Sequence, residues 1–264
     1  MKVVLFCGGQ GMRLREFSET IPKPMINIGY RPILWNIMKY YAHFGHKDFI
    51  LALGYKADKI KDYFVKYDET ISNDFIYTHG GGNIELLNSD IDDWRITFVD
   101  TGASSNIGMR LIKVKEHLAG EEAFMANYAD ALCDMHLPTM IDHFMGQSDK
   151  IASFMTYRPT ATFHVVKADP DGLVTSIKPI SNADVWYNTG YFILRQEIFD
   201  YINYGEELVS EPFQRLIVEQ KLTSYHHAGF WQSMDTFKDK MLLDDLQATG
   251  VPPWEVWQNS YTAE

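Results

Sequence analysis

The chain has 264 residues, of which 46% are hydrophobic and 14% aromatic, and this composition supplies enough apolar side chains for one large core. Its formal net charge is −11, from 35 acidic and 24 basic side chains, which argues against a polynucleotide partner because such binding needs Lys and Arg to neutralise phosphates. No stretch approaches the roughly 18 apolar residues of a membrane span, and the two cysteines, Cys7 and Cys133, favour free thiols in a reducing cytoplasm over a disulfide framework.

The first 65 residues alternate between strand-like and helix-like hydrophobic patterns. Continuous apolar runs of strand length occupy residues 2–7 and 48–53, and the first run is too short for a signal peptide. Apolar side chains at helical spacing occupy residues 32–44 and 57–64. Strand, helix, strand and helix in this order predict right-handed crossovers and a parallel sheet with helices on its faces.

The same alternation continues through the rest of the chain. Further predicted elements are a strand at 95–99, helices near 109–118 and 140–145, a strand at 123–128, short β-like runs over 151–194, and helices at 212–219 and 236–247. Residues 251–264, with two prolines and two tryptophans, are expected to form an irregular arm. We therefore predict one α/β domain over residues 1–264. Its Rossmann-like sheet is mixed but mostly parallel, with helices on both faces and a β-rich insertion.

A glycine-rich turn follows the first predicted strand, in the segment LFCGGQGMR at residues 5–13. Glycines let the backbone bend sharply and bring N–H groups close to phosphate oxygens, at the strand end where open α/β sheets bind ligands. The dinucleotide fingerprint G-x-G-x-x-G fails because Leu14 stands at its third glycine, and no Walker A sequence follows. By itself the turn is equally compatible with phosphate binding and with a tight strand-to-helix connection.

A lysine between two prolines, in Pro22-Lys23-Pro24, lies ten residues beyond Arg13. The prolines fix the local backbone, so Lys23 sits on a stiff piece of chain and can act as a point charge. An isolated lysine of this kind is usually a solvated side chain in a surface turn. Together with Arg13 and the glycines, Lys23 favours a phosphate site.

These segments resemble a known signature. The segment GGQGMRL…PKPM is similar to the signature G-G-x-G-T-R-L…P-K-P of the sugar-phosphate nucleotidyltransferases. The similarity continues through PILWNIMK, NYADALCD, NTGYFIL and GFWQSMDTFKDK. Within that family the chain most resembles the bacterial glucose-1-phosphate cytidylyltransferases. The resemblance implies the nucleotidyltransferase fold and the joining of a nucleoside triphosphate, first CTP, to a sugar 1-phosphate, first glucose 1-phosphate, with release of pyrophosphate. It also implies Mg²⁺ as cofactor and a homo-oligomer, either a trimer or a hexamer.

The resemblance assigns roles to individual residues. It implies nucleotide binding by Phe6, Gly8, Gly9, Gly11, Met12, Arg13, Lys23 and Arg110; sugar-phosphate binding by Tyr128, Lys178, Asn188 and Gly190; and magnesium binding by Asp130 and Asp235. Arg13, Lys23 and Lys178 would be the catalytic cations, and residues 151–194 the sugar-binding portion. Without the resemblance, each aspartate could be a helix N-cap, Lys178 a surface charge, Asn188 a turn residue and Tyr128 part of the core.

The chain also departs from the family pattern near the expected sugar and base. The differing positions are Met12 for Thr, Ala129 and Ala131 for the glycines of G-D-G, Ile177 for the Glu of E-K-P, and Met109 and Thr189 for glycines. Because one methyl group can change substrate preference by roughly 1–3 kcal/mol, a different base or an amino- or deoxy-sugar stays open. A non-catalytic nucleotide-sugar sensor and a dinucleotide-dependent redox enzyme are the competing hypotheses. The retained cations and aspartates disfavour the first, and the failed fingerprint disfavours the second.

Overall fold

The computed structural model describes residues 1–9, 20–159 and 163–258. The strands in these ranges are β1 Val3–Cys7, β2 Asn27–Ile28, β3 Arg31–Pro32, β4 Asp48–Leu53, β5 Phe75–Thr78, β6 Asn83–Leu86, β7 Arg95–Asp100, β8 Ala123–Asn127, β9 Ala131–Cys133, β10 Ala152–Tyr157, β11 His164–Ala168, β12 Val174–Pro179, β13 Tyr187–Arg195, β14 Leu222–His227 and β15 Trp231–Ser233. The α-helices are α1 Ile33–His43, α2 Ala57–Val65, α3 Ile107–Val114, α4 Leu137–Met145, α5 Glu211–Val218 and α6 Phe237–Ala248. None of these helices is long and apolar enough to cross a bilayer.

The centre of the structure is a seven-stranded sheet in the order β14-β10-β13-β8-β1-β4-β7. The strands β4, β1, β8 and β7 run parallel, while β13 pairs antiparallel with both β8 and β10, and β14 pairs parallel with β10. Within this sheet β13 is therefore the one strand that runs against the other six. The mixed, mostly parallel sheet predicted from the hydrophobic pattern is confirmed.

Helices cover both faces of this sheet because its strands are apolar on both sides. Val3 and Leu5 belong to a core cluster that includes side chains of α1, α2, α4 and α6, whereas Val4 and Phe6 belong to a second cluster with α3 and α5. Strands buried on both faces read as continuous hydrophobic runs, which is why β1 and β4 were recognisable in the sequence.

The predicted elements differ from the structure mainly in the second half of the chain. The β-like runs at 151–194 separate into β10 and β13, which join the central sheet, and β11 and β12, which form a two-stranded ribbon of their own. The sequence pattern did not predict β14, since its sequence, LTSYHH, is polar and half-buried. It also missed three short two-stranded units, β2–β3, β5–β6 and β9–β15.

The C-terminal segment packs against the main core as far as it is described, to residue 258. Trp254 is 1% exposed, and its ring lies 5.8 Å from that of Phe230. Trp257 meets Trp35 edge-on at 6.2 Å, and Gln247 donates to Glu255 at 3.0 Å. The two tryptophans therefore connect this segment to α1 and to the turn before β15, and Glu255 connects it to the end of α6.

Candidate active site at the strand ends

The candidate site lies at the edge of the central sheet where its parallel strands end. Gly8 directly follows β1, and Asp130 follows the neighbouring strand β8. Because β13 is antiparallel, its beginning lies at this same edge, and Asn188 pairs with Thr156 near the end of β10. Residues far apart in sequence therefore meet at one rim of the sheet.

A short ribbon brings the two candidate metal aspartates together. Asp130 immediately precedes β9, and Asp235 lies two residues after β15, which pairs antiparallel with β9. The register pairs Ser233 with Ala131, and the N–H of Met234 donates to the carbonyl of Asp130 at 2.8 Å. Neither aspartate is a helix N-cap, because Asp130 leads into a strand and Thr236 caps α6. The helix-cap alternative is therefore wrong for both residues.

Lys23 lies between these two carboxylates. Its Nζ is 2.8 Å from Oδ2 of Asp130 and 2.8 Å from Oδ1 of Asp235, and its side chain is 13% exposed. Burial alone would lower the pKa of Lys23, but the two carboxylates raise it above its ordinary value. The lysine is thus held protonated, in a short 3₁₀ turn over Lys23–Met25 that buries Pro24 and Met25.

The same pair of carboxylates fits a magnesium ion. Both are hard oxygen donors, and a cationic group already lies within hydrogen-bond distance of both. Mg²⁺ commonly binds to one or two carboxylates and takes its other ligands from water and phosphate. In the described ranges, no set of three or more His, Cys, Asp or Glu side chains is close enough together to hold a metal ion.

Arg110 is buried beneath the glycine turn. It is 2% exposed and donates to the carbonyls of Gly8 at 3.0 Å and Leu53 at 3.1 Å, and to Oγ1 of Thr101 at 2.5 Å. These acceptors lie at the ends of β1, β4 and β7, so one guanidinium ties three strands together. A nucleotide contact of Arg110 remains a prediction, while its contacts within the chain hold the backbone carbonyl of Gly8 in place.

Because Gly8 has no side chain, the guanidinium of Arg110 can occupy the space next to its Cα. A Cβ at Gly8 would lie 1.9 Å from Nη1 of Arg110, whereas a Cβ at Gly9 would meet nothing within 4 Å in the described structure. We expect Gly8→Ala to lower the free energy of unfolding by about 1–3 kcal/mol through overpacking, and Gly9→Ala to change it by less than about 0.5 kcal/mol. Urea unfolding of the two variants measures the difference, and equal losses would contradict this packing argument.

Phe6 and Tyr128 pack against each other, with Phe6 buried and Tyr128 half-buried. Phe6 is 4% exposed, and its ring lies 6.3 Å from that of Tyr128, which in turn meets Phe192 at 5.1 Å. Burial, followed by the charges of Glu207 and Asp130, raises the pKa of Tyr128, so its hydroxyl stays neutral. The rings form an apolar wall next to Asp130.

Gly190 fits closely against Tyr128. Its φ is +82°, and an added Cβ would lie 2.4 Å from Cδ2 of Tyr128. The N–H of Gly190 donates to Oδ1 of Asn188 at 3.0 Å, and its carbonyl accepts from the N–H of Tyr128 at 3.1 Å. Gly190 thus holds Asn188 and Tyr128 in place on adjacent strands.

Replacing Gly190 with alanine is expected to lower the free energy of unfolding more than replacing a glycine whose only requirement is a positive φ. Gly120 is the matched control, with φ +86° and no described atom within 4 Å of the position that a Cβ would take. Gly120→Ala carries only the left-handed backbone cost, about 1–2 kcal/mol. Gly190→Ala adds an overpacking cost of about 1–3 kcal/mol. Thermal or urea unfolding compares the two, and an equal loss would rule out the Tyr128 contact as the cause.

The alanines that replace the family's G-D-G glycines do not reach the expected substrate space. Ala129 is 0% exposed with φ +60°, and its N–H donates to Oδ1 of Asn127 at 2.7 Å. Ala131 is 2% exposed, and both methyl groups belong to the main core cluster. The interpretation of these two alanines as pocket-shaping changes is therefore wrong, because their side chains face the core.

A cavity of about 580 Å³ opens beside Asp235. It is lined by Tyr157, Pro159, Trp186, Tyr187, Asn188, Trp231, Gln232, Ser233, Asp235 and Asp239. Lys178 lies half-buried on the β11–β12 ribbon opposite Val165 and is not one of the described residues that line this cavity. Ile177 is 65% exposed. Gly11, Met12 and Arg13 lie outside the described residues.

Several residues of this cavity were missed by sequence reasoning. Trp186, Trp231, Gln232 and Asp239 received no role, although three of them lie in the segment GFWQSMDTFKDK that carried the resemblance. For Asp239 the sequence did contain an indication, because the spacing Thr236-x-x-Asp239 is typical of a capping box at the start of a helix. Such a box forms at α6.

The chain is similar in sequence and in fold to known nucleotidyltransferases. The family described as nucleotidyl transferase matches residues 2–239. A glucose-1-phosphate cytidylyltransferase of Salmonella typhi is 36% identical over 260 residues, covering 98% of this chain and 100% of that protein. A probable glucose-1-phosphate cytidylyltransferase of Bacillus subtilis is 33% identical over 259 residues, covering 97% and 100%. The crystal structure of a UDP-glucose pyrophosphorylase with UDP-glucose shares the fold, with a TM-score of 0.69 at 16% identity over 94% of this chain and 98% of that one. The chain belongs to the nucleotidyl transferase family.

Proposed function

We propose that this enzyme joins a nucleoside triphosphate to a sugar 1-phosphate and releases pyrophosphate, with CTP and glucose 1-phosphate as the first pair. The observation that carries the proposal is the meeting of Lys23 with Asp130 and Asp235 at the sheet edge where β1 and β8 end, beside the cavity that Asp235 lines. The names of the relatives from Salmonella typhi and Bacillus subtilis support this substrate pair.

The reaction needs no nucleophile from the protein. A phosphate oxygen of the sugar 1-phosphate attacks the α-phosphorus in line, and the bond from that phosphorus to the oxygen of the leaving pyrophosphate breaks. Catalysis then consists of positioning and charge neutralisation. We assign the β- and γ-phosphates to the N–H groups of residues 8–11 and to Arg13, the α-phosphate to Lys23, and the attacking phosphate to Lys178.

Asp130 and Asp235 are the residues that would hold Mg²⁺. A bound ion would supply positive charge that offsets the negative charge developing on the phosphates in the transition state. The two carboxylates suit this role because the β9–β15 ribbon fixes their backbones side by side. The protein's own part is to keep both oxygen donors within reach of a single cationic group, as their contacts with Lys23 illustrate.

The cavity beside Asp235 is the proposed sugar pocket. Aromatic rings of Tyr157 and Trp231, with centroids 5.6 Å apart, offer apolar surface for the C–H face of a sugar. Asn188 and Gln232 offer amide groups for hydroxyls. Because Ile177 replaces the family's glutamate, one charged contact to a sugar hydroxyl is absent at that position, which keeps amino- and deoxy-sugars as alternatives.

The decisive experiment measures pyrophosphate release with four nucleoside triphosphates against a panel of sugar 1-phosphates. We expect the highest kcat/KM for CTP with glucose 1-phosphate, and loss of release when EDTA removes divalent cations. A higher kcat/KM for another pair of triphosphate and sugar 1-phosphate would support the same reaction with different substrates. Binding of nucleotides without release, for every pair, would favour the sensor and overturn the transferase, and NAD(P) binding would revive the redox enzyme.

We also propose that the chain assembles as a homo-oligomer, a trimer or a hexamer. The β5–β6 ribbon supports this proposal, because Phe75, Ile76, Tyr77 and Ile84 are 40–59% exposed on it. Such a cluster of exposed apolar side chains is typical of a contact surface. Sedimentation velocity tests the assembly, and a monomer at micromolar concentration would contradict it.

A further inference from the structure

Asp239 holds the backbone next to the candidate metal carboxylate. Its Oδ2 accepts from the N–H of Asp235 at 3.2 Å, and from the N–H and the hydroxyl of Thr236, each at 2.8 Å. Its own N–H donates to Oγ1 of Thr236 at 3.2 Å, which completes the cap of α6. One oxygen of Asp239 therefore fixes the chain at the point where the Asp235 carboxylate projects toward Lys23.

The other oxygen of Asp239 orients a side chain of the cavity. Its Oδ1 accepts from Nε2 of Gln232 at 3.3 Å, and the same Nε2 donates to the carbonyl of Ser233 at 2.8 Å. Because both contacts use the nitrogen of the amide, they determine which end of Gln232 is Nε2 and which is Oε1. Gln232 and Asp239 both line the cavity beside Asp235.

We propose that Asp239 is a positioning residue that serves both halves of the site. Through the N–H groups of Asp235 and Thr236 it sets the direction of the Asp235 carboxylate, and through Gln232 it sets an amide in the sugar pocket. The proposal rests on the proposed function, since it needs a metal-bound nucleotide on one side and a sugar 1-phosphate on the other. The proposal assigns Asp239 no direct contact with the reacting phosphates.

The chemistry of Asp239→Asn makes the proposal testable. An asparagine has one acceptor oxygen, whereas Asp239 uses both of its oxygens as acceptors. If the asparagine oxygen faces Asp235 and Thr236, its NH₂ group opposes the NH₂ group of Gln232, which must turn over. If the side-chain amide of the asparagine is flipped, its NH₂ group opposes the backbone N–H groups of Asp235 and Thr236. Either arrangement disturbs one half of the site.

The experiment uses Mn²⁺ as the probe of the metal site, titrated by electron paramagnetic resonance in the presence of a non-hydrolysable CTP analogue. Residues behind metal ligands typically change metal affinity by about 10–100-fold when replaced. We expect Asp239→Asn to weaken Mn²⁺ binding about tenfold and to raise KM for glucose 1-phosphate. The matched control is Asp244→Asn on the same helix, where Asp244 pairs with Lys240, and it should leave Mn²⁺ affinity within about twofold of the parent.

A second variant separates the two roles and does not touch the helix cap. Gln232→Met should raise KM for glucose 1-phosphate while Mn²⁺ affinity stays unchanged. Wild-type Mn²⁺ affinity in Asp239→Asn, with only a lower Tm, would show a simple helix cap and overturn the metal-side role. An unchanged KM in Gln232→Met would overturn the sugar-side role. Absence of pyrophosphate release from the parent protein would refute the proposed function, while the Mn²⁺ titration would still decide whether Asp239 positions Asp235.

Discussion

Replacing Lys23 with methionine is expected to lower turnover by about 10²–10³-fold and, at the same time, to strengthen the binding of Mn²⁺ to the nucleotide-free protein. Loss of one charge-stabilising donor at a reacting group typically has an effect of this size on turnover. The gain in cation binding follows from the position of Nζ, 2.8 Å from an oxygen of each aspartate. Lysine and a divalent cation then compete for the same carboxylates.

The competition has a physical basis in the partial burial of the three groups. The side chains of Lys23 and Asp130 are 13% and 26% exposed, so their attraction is less screened than that of a surface ion pair. A divalent cation bound by both aspartates would compete with the Lys23 ammonium for the same oxygens, and a bound nucleotide would offer the ammonium a phosphate oxygen instead. Metal and nucleotide are therefore expected to bind together, with the metal weak on its own.

Titration with Mn²⁺ in the absence of nucleotide measures this competition. We expect Lys23→Met to bind Mn²⁺ at least about tenfold more tightly than the parent, a difference of about 1.4 kcal/mol. The control is Lys47→Met, whose lysine pairs with Asp93 on an exposed surface. Weaker Mn²⁺ binding by Lys23→Met, or turnover like that of the parent, would contradict the arrangement described for Lys23.

Asp130→Asn is expected to abolish turnover, with a loss of at least about 10³-fold, while the protein stays folded. An amide cannot supply the negative charge that a hard cation needs, and metal-ion stabilisation of the transition state amounts to several kcal/mol. The fold should persist because asparagine has nearly the same shape and the side chain is 26% exposed. The backbone carbonyl of Asp130, which accepts from Met234, is unchanged by the substitution.

Pyrophosphate release and circular dichroism test this expectation together. Asp93→Asn is the control, since Asp93 is an exposed partner of Lys47. The Asp130→Asn variant should also lose Mn²⁺ binding in the presence of a CTP analogue. Near-normal turnover by Asp130→Asn would refute the metal role of this carboxylate, and an unfolded protein would show that its negative charge is needed for folding.

The hydrophobic pattern predicted the sheet because its strands are buried on both faces and its helices carry clear apolar stripes. β1 and β4 read as continuous apolar runs, and α1 as a helical stripe, with bounds within a few residues of the structure. The polar strand β14 was missed because a half-buried edge strand has neither an apolar run nor a clear alternation.

The candidate site was harder to predict than the sheet, because its parts meet through very short elements. β9 and β15 have three residues each, too few for any periodicity, yet their pairing brings Asp130 and Asp235 together. The G-D-G comparison led to the expectation that Ala129 and Ala131 face the substrate. The structure shows instead that both methyl groups are buried in the main core cluster, with Ala129 in a left-handed conformation at φ +60°.

The reversed direction of β13 has a consequence for how such an enzyme can diversify. Gly8 and Asp130 precede β10 in the chain, whereas Trp186, Tyr187 and Asn188 of the cavity lie at or just before the start of β13, which returns to the same edge of the sheet. With the roles proposed above, insertions or exchanges between the end of β10 and the start of β13 would remodel the proposed sugar side and leave Gly8, Lys23 and Asp130 unchanged. Evolution could in this way exchange one carbohydrate for another while the chemistry of the transfer is inherited unchanged.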